Sequence, residues 1–277
     1  MNVFDLHTHS TASDGTLSPA DLVRRAAKAG VQFLALTDHD TTAGLQEARD
    51  EAEQLNISLI AGCEISVTWN NRTIHVVGLN VDQNSSELQN GLQKLCEFRD
   101  WRAREIARRL AQHGIDNAFE GACEFAKGNL ISRTHFAHFL VKHGYVSSVR
   151  EVFKKFLIKN RPGYVSGQWA ALDEVVGWIK NAGGQAVIAH PARYNLTRTK
   201  LLKLINDFKD AGGEGIEVVS GSHSRDEYFT MAEHAKQQEL LASAGSDFHG
   251  PENPWIELGK LPELPVGCRP IWHNWDH

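Results

Sequence analysis

The sequence has few cysteines, and their spacing does not let them act together. Its 277 residues include four cysteines, far apart at positions 63, 96, 123 and 268. Because no Cys-x-x-Cys pair occurs, we expect neither a disulfide framework nor a zinc site built from thiolates. Sparse, unpaired cysteines are typical of a reducing compartment, so we expect a cytoplasmic protein.

Long apolar segments are also absent. No apolar run approaches the roughly 20 residues needed to cross a bilayer, and the N-terminal residues show no positively charged segment followed by an apolar one. We therefore expect a soluble protein that is not exported and has no membrane partner. At 277 residues, the chain is long enough for one large α/β domain, or for one with an inserted subdomain.

Positive charge is scarce outside one segment. The chain has a formal charge of −5, but residues 99–161 hold 13 lysines and arginines against six acidic residues, so this segment carries +7 and the remainder −12. A basic segment on an acidic body predicts an anionic substrate. Because residues 99–161 also have helical patterns throughout, we interpret them as an inserted helical subdomain. It would cap the substrate site of a main domain formed by residues 1–98 and 162–277.

Strand and helix patterns alternate in the two segments that flank the basic one. Ser18-Pro19 and Gly30 delimit a first helix. Strands are predicted over 3–7, 33–40, 57–67, 72–81, 185–189 and 215–219 and from 240 onward, and helices over 42–55, 86–114, 132–142, 147–156, 170–181, 198–211 and 225–237. Alternating strands and helices predict a parallel α/β fold. Each predicted strand ends with a histidine or an acid, and in (β/α) barrels these ends form the active face.

A histidine pair stands near the N-terminus. If residues 3–7 form a strand, side-chain alternation places His7 and His9 on the same side. Such a pair is typical of a metal site, although a chance pair or a turn cap would give the same pattern. The second predicted strand ends with His39 between two aspartates, and this repetition favours the metal site.

Two residues inside predicted strands add to this set. Glu64 lies among apolar and small residues, where an unpaired carboxylate would cost on the order of several kcal/mol unless a metal offset the cost. His75 taken alone fits a hydrogen-bonded core histidine better than a ligand, but its neighbours favour a ligand. With the residues at the other strand ends, the candidate ligands are His7, His9, Asp14, His39, Glu64, His75, His190, Asp247 and His249.

Nine ligands exceed what one ion can use, and they suit two or three divalent ions. Histidines mixed with carboxylates, without thiolates, suit Mn²⁺, Zn²⁺ or Fe²⁺ better than Mg²⁺ alone. We expect Mn²⁺ as the cofactor.

Together these motifs resemble those of the PHP (polymerase and histidinol phosphatase) family. The resemblance runs from residue 3 to residue 250 and rests on His7-Thr8-His9, Asp14-Gly15, Thr37-Asp38-His39-Asp40, Gly62-Cys63-Glu64, His75, Ala189-His190-Pro191 and Ser246-Asp247-Phe248-His249. It implies a distorted seven-stranded (β/α)7 barrel that hydrolyses phosphoesters with up to three metals.

The resemblance also implies how the ligands are shared among the ions. One ion would be held by His7, His9, Glu64 and Asp247, a second by Glu64 as a bridge with His75 and His190, and a third by Asp14, His39 and His249. The residues implied in catalysis are His7, His9, Asp14, His39, Glu64, Asp247 and His249.

Three further segments resemble one bacterial branch of the family: Ser132-Arg133-Thr134-His135, Arg161-Pro162-Gly163-Tyr164 and His190-Pro191-Ala192-Arg193. That branch removes the 3′-phosphate from nucleoside 3′,5′-bisphosphates and trims RNA from its 5′ end. The resemblance thus implies these two substrates and no protein partner. The expected substrate-binding residues are Ser132, Arg133, Arg161, Arg193 and His223, with Arg133 and Arg161 on the 5′-phosphate.

Two other functions fit parts of the sequence. A phosphatase for a small metabolite such as histidinol phosphate would use the same ligands, but it would not need the basic segment. A nucleic-acid-binding or metal-storage module without catalysis would need the basic segment, but the intact ligand set counts against it.

Overall fold

Seven strands form one sheet that curls into a nearly closed barrel in the computed structural model, which describes residues 3–128 and 130–275. The strands are β1 (Phe4–Asp5), β2 (Phe33–Leu36), β3 (Ser58–Trp69), β4 (Arg72–Leu79), β5 (Gln185–Ile188), β6 (Gly215–Ser220) and β7 (Leu241–Gly245). Their order in the sheet is their order in the chain. The predicted α/β barrel is therefore confirmed. Residues 1, 2, 129, 276 and 277, which the predicted domain ranges include, lie outside the described residues.

The barrel closes through the segment that follows β1. Because β1 is only two residues long, the strand predicted over 3–7 is too long. Closure continues through single backbone hydrogen bonds: the Leu6 amide donates to the Ala244 carbonyl at 3.0 Å, and the Asp247 amide donates to the His7 carbonyl at 2.9 Å. The ends of β1 and β7 are thus held together where both deliver candidate ligands.

β4 runs antiparallel to both of its neighbours, whereas β1, β2 and β3 pair in parallel, as do β5, β6 and β7. A hairpin at Asn70 and Asn71, both with positive φ, joins β3 to β4. The expectation that each strand ends with a histidine or an acid is therefore wrong for β3 and β4, whose ligands lie inside the strands, as predicted for Glu64 and His75. His75 lies in the first half of β4, and Glu64 lies within β3, because β3 continues beyond it into the hairpin.

Nine α-helices are present in the described residues: α1 (Pro19–Ala29), α2 (Leu45–Leu55), α3 (Ser86–Ala111), α4 (Ala118–Cys123), α5 (Arg133–Lys142), α6 (Val149–Val152), α7 (Leu172–Asn181), α8 (Arg198–Asp210) and α9 (Arg225–Gln237). The Ser18 hydroxyl caps α1 by accepting from the Asp21 amide at 3.1 Å. The helix predicted over 147–156 is instead α6 followed by a π-helical turn at Phe153–Leu157. None of the helices in this described part of the chain is long and apolar enough to cross a membrane.

The predicted insertion has a hydrophobic cluster of its own. Ile106, Leu110, Phe136 and Leu157 are buried together beneath α3, α5 and the π-helical turn. However, α3 begins at Ser86 and crosses the proposed boundary between residues 98 and 99. One continuous helix therefore joins the two regions, and their division into subdomains stays a prediction.

Barrel closure requires a glycine at position 245, because a Cβ there would lie 2.3 Å from the Cβ of His7. We expect Gly245→Ala to lower the free energy of unfolding by about 1–3 kcal/mol, as overpacking does. Gly177→Ala in α7 is the matched control, since its Cβ would meet no described atom within 4 Å. It should stabilise the protein by up to about 1 kcal/mol. Urea denaturation measures both values, and equal effects of the two substitutions would contradict this account of closure.

Candidate functional site

The nine predicted ligand residues lie together at one end of the barrel, and we call them the ligand cluster. Each has a nitrogen or oxygen within 3.7 Å of another member. His7, His9 and Asp14 follow β1, His39 follows β2, Glu64 and His75 lie within β3 and β4, His190 follows β5, and Asp247 and His249 follow β7. The barrel topology thus collects in one place residues that are up to 242 positions apart in the sequence.

The Glu64 carboxylate occupies the centre of the ligand cluster and is 0% exposed. Its Oε2 lies 3.3 Å from Nε2 of His7, 3.3 Å from Nε2 of His9 and 2.8 Å from Nδ1 of His39. Its Oε1 lies 2.7 Å from Nδ1 of His75 and 2.9 Å from Nε2 of His190. One carboxylate therefore contacts five histidines, as a bridge between metal ions would.

Two aspartates complete the ligand cluster. Asp247 Oδ1 lies 3.3 Å from Nε2 of His9 and 3.6 Å from Nδ1 of His249. Asp14 Oδ1 lies 3.3 Å from Nε2 of His249 and 3.7 Å from Nε2 of His39. Histidines and carboxylates alternate across the cluster. A metal ion at any of several points between them would therefore have ligands of both types.

The donor atoms fit divalent ions. Several buried atoms of the cluster, including Nδ1 of His9, Oδ1 of Asp14 and Oε2 of Glu64, make no hydrogen bond of normal geometry with the described residues, even where a histidine nitrogen lies close. A buried polar atom without a partner is costly, and coordination of a metal would satisfy it. The three groups whose ligand atoms all lie within 4.8 Å of one another are His9, Asp14, His39 and His249; His7, His9, Glu64 and Asp247; and His39, Glu64 and His75. The cluster can therefore bind divalent metal ions.

Charge pairing keeps the carboxylates of the cluster ionised. Burial alone would raise the pKa of Glu64, but His75, His39 and His7 hold it well below its usual range. Burial opposes ionisation of Asp14 too, and His39 and His249 hold its pKa well below normal. Ionised carboxylates are the form that coordinates cations.

Two histidines of the cluster have opposite pKa shifts because their surroundings differ. Burial lowers the pKa of His39 to about 4, which leaves a neutral ring able to act as a ligand. Burial also acts on His249, but the charges of Asp14 and Asp247 raise its pKa to about 9. A metal at His249 must therefore displace a proton near neutral pH.

The loop that carries Asp14 is fixed by a buried aspartate that the sequence reasoning did not select. Asp38 accepts hydrogen bonds from the Ser10 amide at 2.8 Å, from the Ser10 hydroxyl at 2.6 Å and from the Ser13 hydroxyl at 2.6 Å. Thr134 in α5 then donates to Asp14 Oδ2 at 3.3 Å. Asp14 is thus positioned by both the barrel and the helical segment.

A cavity of about 150 Å³ opens beside the ligand cluster. Seven members of the cluster line it on one side, and Arg99, Arg102, Arg133 and Arg193 also line it. We call these four residues the arginine wall. Metal ligands and guanidinium groups around one small cavity make a site suited to an anion that also contacts metal ions.

Two arginines of the wall have acidic partners and two do not. Arg99 donates to Asp40 at 2.6 Å, and Arg193 donates to Asp247 at 3.0 Å. Arg102 and Arg133 have no acidic side chain within 4 Å among the residues that the structure describes. Burial and the nearby charges of Arg133 and Arg99 lower the pKa of Arg102 to about 9. A bound anion would relieve this repulsion.

Three of the five predicted substrate-binding residues line the cavity, and two lie elsewhere. Ser132, Arg133 and Arg193 line the cavity, whereas Arg161 and His223 do not. Arg161 is exposed, in a turn that its amide closes onto the Ile158 carbonyl at 3.0 Å. His223 is buried, and its Nε2 accepts from the Ala192 amide at 3.3 Å, so it supports the turn that carries Arg193.

The sequence reasoning missed Arg99 and Arg102, which were counted among the solvated charges of a basic helix. Their signal was periodicity: both share the buried face of α3 with Leu95 and Ile106. Glu217 was missed as well, although it stands among the apolar residues of β6 as Glu64 does in β3. A charged residue at an apolar position is the signal common to all three.

Known proteins are similar to this chain over nearly its whole length. The family model of the PHP domain matches residues 5–164. The 3′,5′-nucleoside bisphosphate phosphatase of Chromobacterium violaceum is 49% identical over 275 residues, which cover 99% of this chain and 96% of that protein. The 5′-3′ exoribonuclease Rnm of Escherichia coli K12 is 45% identical over 276 residues, which cover 99% of this chain and 94% of that protein. The solved structure of an amidohydrolase from C. violaceum, with bound SO4 and no metal, has a TM-score of 0.94 and 48% identity, covering 97% of this chain and 94% of that one.

His249 should give the metal-free protein a stability that depends on pH. Its pKa of about 9 in the folded protein exceeds the ordinary 6.5, so its proton stabilises the fold below pH 6.5, and this contribution is lost as the pH rises through 9. In chelator, the free energy of unfolding should fall more steeply between these pH values in the wild type than in His249→Ala. The exposed His113→Ala should keep the wild-type slope. A His249→Ala slope equal to that of the wild type would contradict the assignment.

Proposed function

Because this chain belongs to the PHP domain family, we propose that it hydrolyses the 3′-phosphoester bond of 5′-phosphorylated nucleotides. Nucleoside 3′,5′-bisphosphates would yield a 5′-mononucleotide and phosphate, and 5′-phosphorylated RNA would be trimmed from its 5′ end. One observation carries the proposal: a single cavity is lined both by seven members of the ligand cluster and by Arg102 and Arg133, which have no acidic partner among the described residues. The cavity therefore offers one place for a phosphoryl group to react and a second for a phosphoryl group to be held.

Two or three divalent ions would occupy the ligand cluster, with Mn²⁺ proposed first and Zn²⁺, Fe²⁺ or Mg²⁺ as alternatives. His7, His9, Glu64 and Asp247 would hold one, Glu64 with His75 and His190 a second, and Asp14, His39 and His249 a third. When bound, such ions supply charge neutralisation at the phosphoryl oxygens and lower the pKa of coordinated water.

The 5′-phosphate would lie between Arg102 and Arg133. Arg102 is buried and Arg133 half-buried, the two repel each other, and neither has an acidic partner among the described residues. Each can donate two parallel hydrogen bonds to phosphate. Ser132, the N-cap of α5, lines the same part of the cavity. This grip would fix which phosphoester bond lies over the ligand cluster.

Arg193 would act on the other phosphoryl group. Its guanidinium donates to the Asp247 carboxylate at 3.0 Å, so it is held beside the ligand cluster. A positive charge fixed there would stabilise the negative charge that develops on the phosphoryl oxygens during hydrolysis.

This geometry accounts for two activities at once. With a terminal 3′-phosphate, cleavage of the P–O3′ bond releases phosphate. With a longer chain, the same bond is an internucleotide link, and its cleavage releases a 5′-mononucleotide and leaves a new 5′-phosphate for the next cycle. The helical segment 99–161 supplies Arg99, Arg102, Ser132 and Arg133 to the cavity, which supports its proposed role as a cap over the substrate.

The direct test is a substrate comparison with the Mn²⁺-loaded protein. Adenosine 3′,5′-bisphosphate and short RNAs with either a 5′-phosphate or a 5′-hydroxyl are incubated separately, and the products are separated by chromatography. We expect AMP from the first and 5′-mononucleotides from the phosphorylated RNA alone. Hydrolysis of a simple phosphomonoester without turnover of either nucleotide substrate would instead support a small-metabolite phosphatase.

Substitutions in the arginine wall should separate substrate grip from metal binding. We expect Arg102→Ala and Arg133→Ala to lower kcat/KM for adenosine 3′,5′-bisphosphate by at least about 30-fold, because each leaves a buried anion without a partner. The preference for a 5′-phosphate should fall as well, while the metal content stays unchanged. Arg161→Ala is the control at an exposed position and should keep wild-type kinetics. Loss of activity in Arg161→Ala with normal rates in Arg102→Ala would reverse the assignment.

A further inference from the structure

A buried glutamate outside the ligand cluster contacts two of its members through both carboxylate oxygens. Glu217 lies in β6 and is 1% exposed. Its Oε1 lies 2.6 Å from Nδ1 of His7, and its Oε2 accepts a hydrogen bond from the backbone amide of His190 at 2.5 Å. One side chain on β6 therefore links the segment after β1 to the segment after β5.

The contact with His190 acts on an unusual backbone conformation. His190 has φ 28° and ψ 57°, in the left-handed region that residues with a side chain rarely adopt. Such a conformation costs on the order of 1–3 kcal/mol unless its surroundings enforce it. The hydrogen bond to Glu217 holds the His190 amide, and the His190 ring then lies with Nε2 2.9 Å from Oε1 of Glu64.

The contact with His7 determines which ring nitrogen is free. An ionised carboxylate only accepts hydrogen bonds, so Nδ1 of His7 must carry the proton that points at Glu217. When the ring is neutral, as a metal ligand must be, the lone pair is therefore on Nε2, and this atom lies 3.3 Å from Oε2 of Glu64. A histidine that ligates metal through one nitrogen commonly donates the other N–H to a carboxylate, and this orients the ring and raises its basicity.

We propose that Glu217 is a positioning residue that orients one ligand in each of two metal positions, His7 in the first and His190 in the second. The inference rests on the proposed metal assignment and deepens it. Within the described residues, the hydrogen bonds of the Glu217 side chain go to His7 and His190. The position formed by Asp14, His39 and His249 should therefore be independent of Glu217.

Glu217→Gln tests this with a change of one functional group. The Gln carbonyl can still accept from the His190 amide, but its NH₂ group then faces Nδ1 of His7 and needs a lone pair there. The His7 proton would move to Nε2, where it blocks ligation. The alternative flip places the NH₂ group against the His190 amide, so that two donors face each other. Either orientation disturbs a ligand while the shape of the side chain is kept.

Metal affinity is the readout, measured without substrate by competition of Mn²⁺ against a chelator. We expect Glu217→Gln to weaken the ions at the His7 and His190 positions by about 10- to 100-fold and to leave an ion at Asp14, His39 and His249 unchanged. Glu214→Gln is the matched control, because Glu214 precedes the same strand and pairs with Lys180 at the surface. The metal-free Tm should be similar in both variants. Wild-type Mn²⁺ affinity in a folded Glu217→Gln would overturn the inference.

Wild-type protein offers a second test in case the variant does not fold. In the Zn²⁺-loaded protein, ¹H–¹⁵N NMR should show the His7 ring proton on Nδ1, in a strong hydrogen bond. A proton on Nε2 of His7 would overturn the inference. If the wild-type protein bound neither Mn²⁺ nor Zn²⁺, the metal assignment of the proposed function itself would be wrong. That outcome differs from normal metal binding in Glu217→Gln, which would overturn only the role of Glu217.

Discussion

The buried carboxylate of Glu64 imposes the constraint on which the rest of this site depends. It is inaccessible to water and surrounded by five histidine rings, each with a nitrogen within 3.3 Å of one of its oxygens. A buried charge is tolerated only when charges and hydrogen bonds compensate for its lost hydration. Divalent ions between Glu64 and the histidines would provide that compensation, and the histidines come from four different segments of the barrel.

Several departures from regular structure bring the ligands of the cluster together. β4 is reversed, so that His75 reaches the cluster from the first half of a strand. Asp40, His190 and Asp247 adopt positive φ next to or within the cluster. Strained residues of this kind concentrate at functional sites, where their surroundings hold them in place. The barrel is distorted where the cluster is formed, and the hydrogen bonds that Glu217 and Asp38 accept from backbone amides hold these segments in place.

The alternation of strands and helices could be predicted from periodicity and capping, and the ligand cluster from histidines and acids beside apolar strands. The reversal of β4 could also have been predicted, because only four residues separate the strands predicted over 57–67 and 72–81, whereas a parallel pair needs a crossover of about a dozen residues. Arg102 was not selected, although its place on the buried face of α3 follows helical periodicity, and it lines the cavity. Arg161 was predicted to contact the 5′-phosphate, but it lies in a turn, where periodicity gives no sign of burial, and it is exposed. Its contact with substrate stays a prediction.

In this account Glu64 would bridge metal ions while Arg102 and Arg133 hold the phosphate that does not react. The most direct measurement is a crystal structure with Mn²⁺ and a non-hydrolysable nucleoside 3′,5′-bisphosphate analogue, with anomalous scattering used to place the ions. The account predicts anomalous peaks on both sides of the Glu64 carboxylate and the 5′-phosphate between Arg102 and Arg133. Ions bound away from Glu64, or a 5′-phosphate at the ligand cluster with the 3′-phosphate between the arginines, would contradict it.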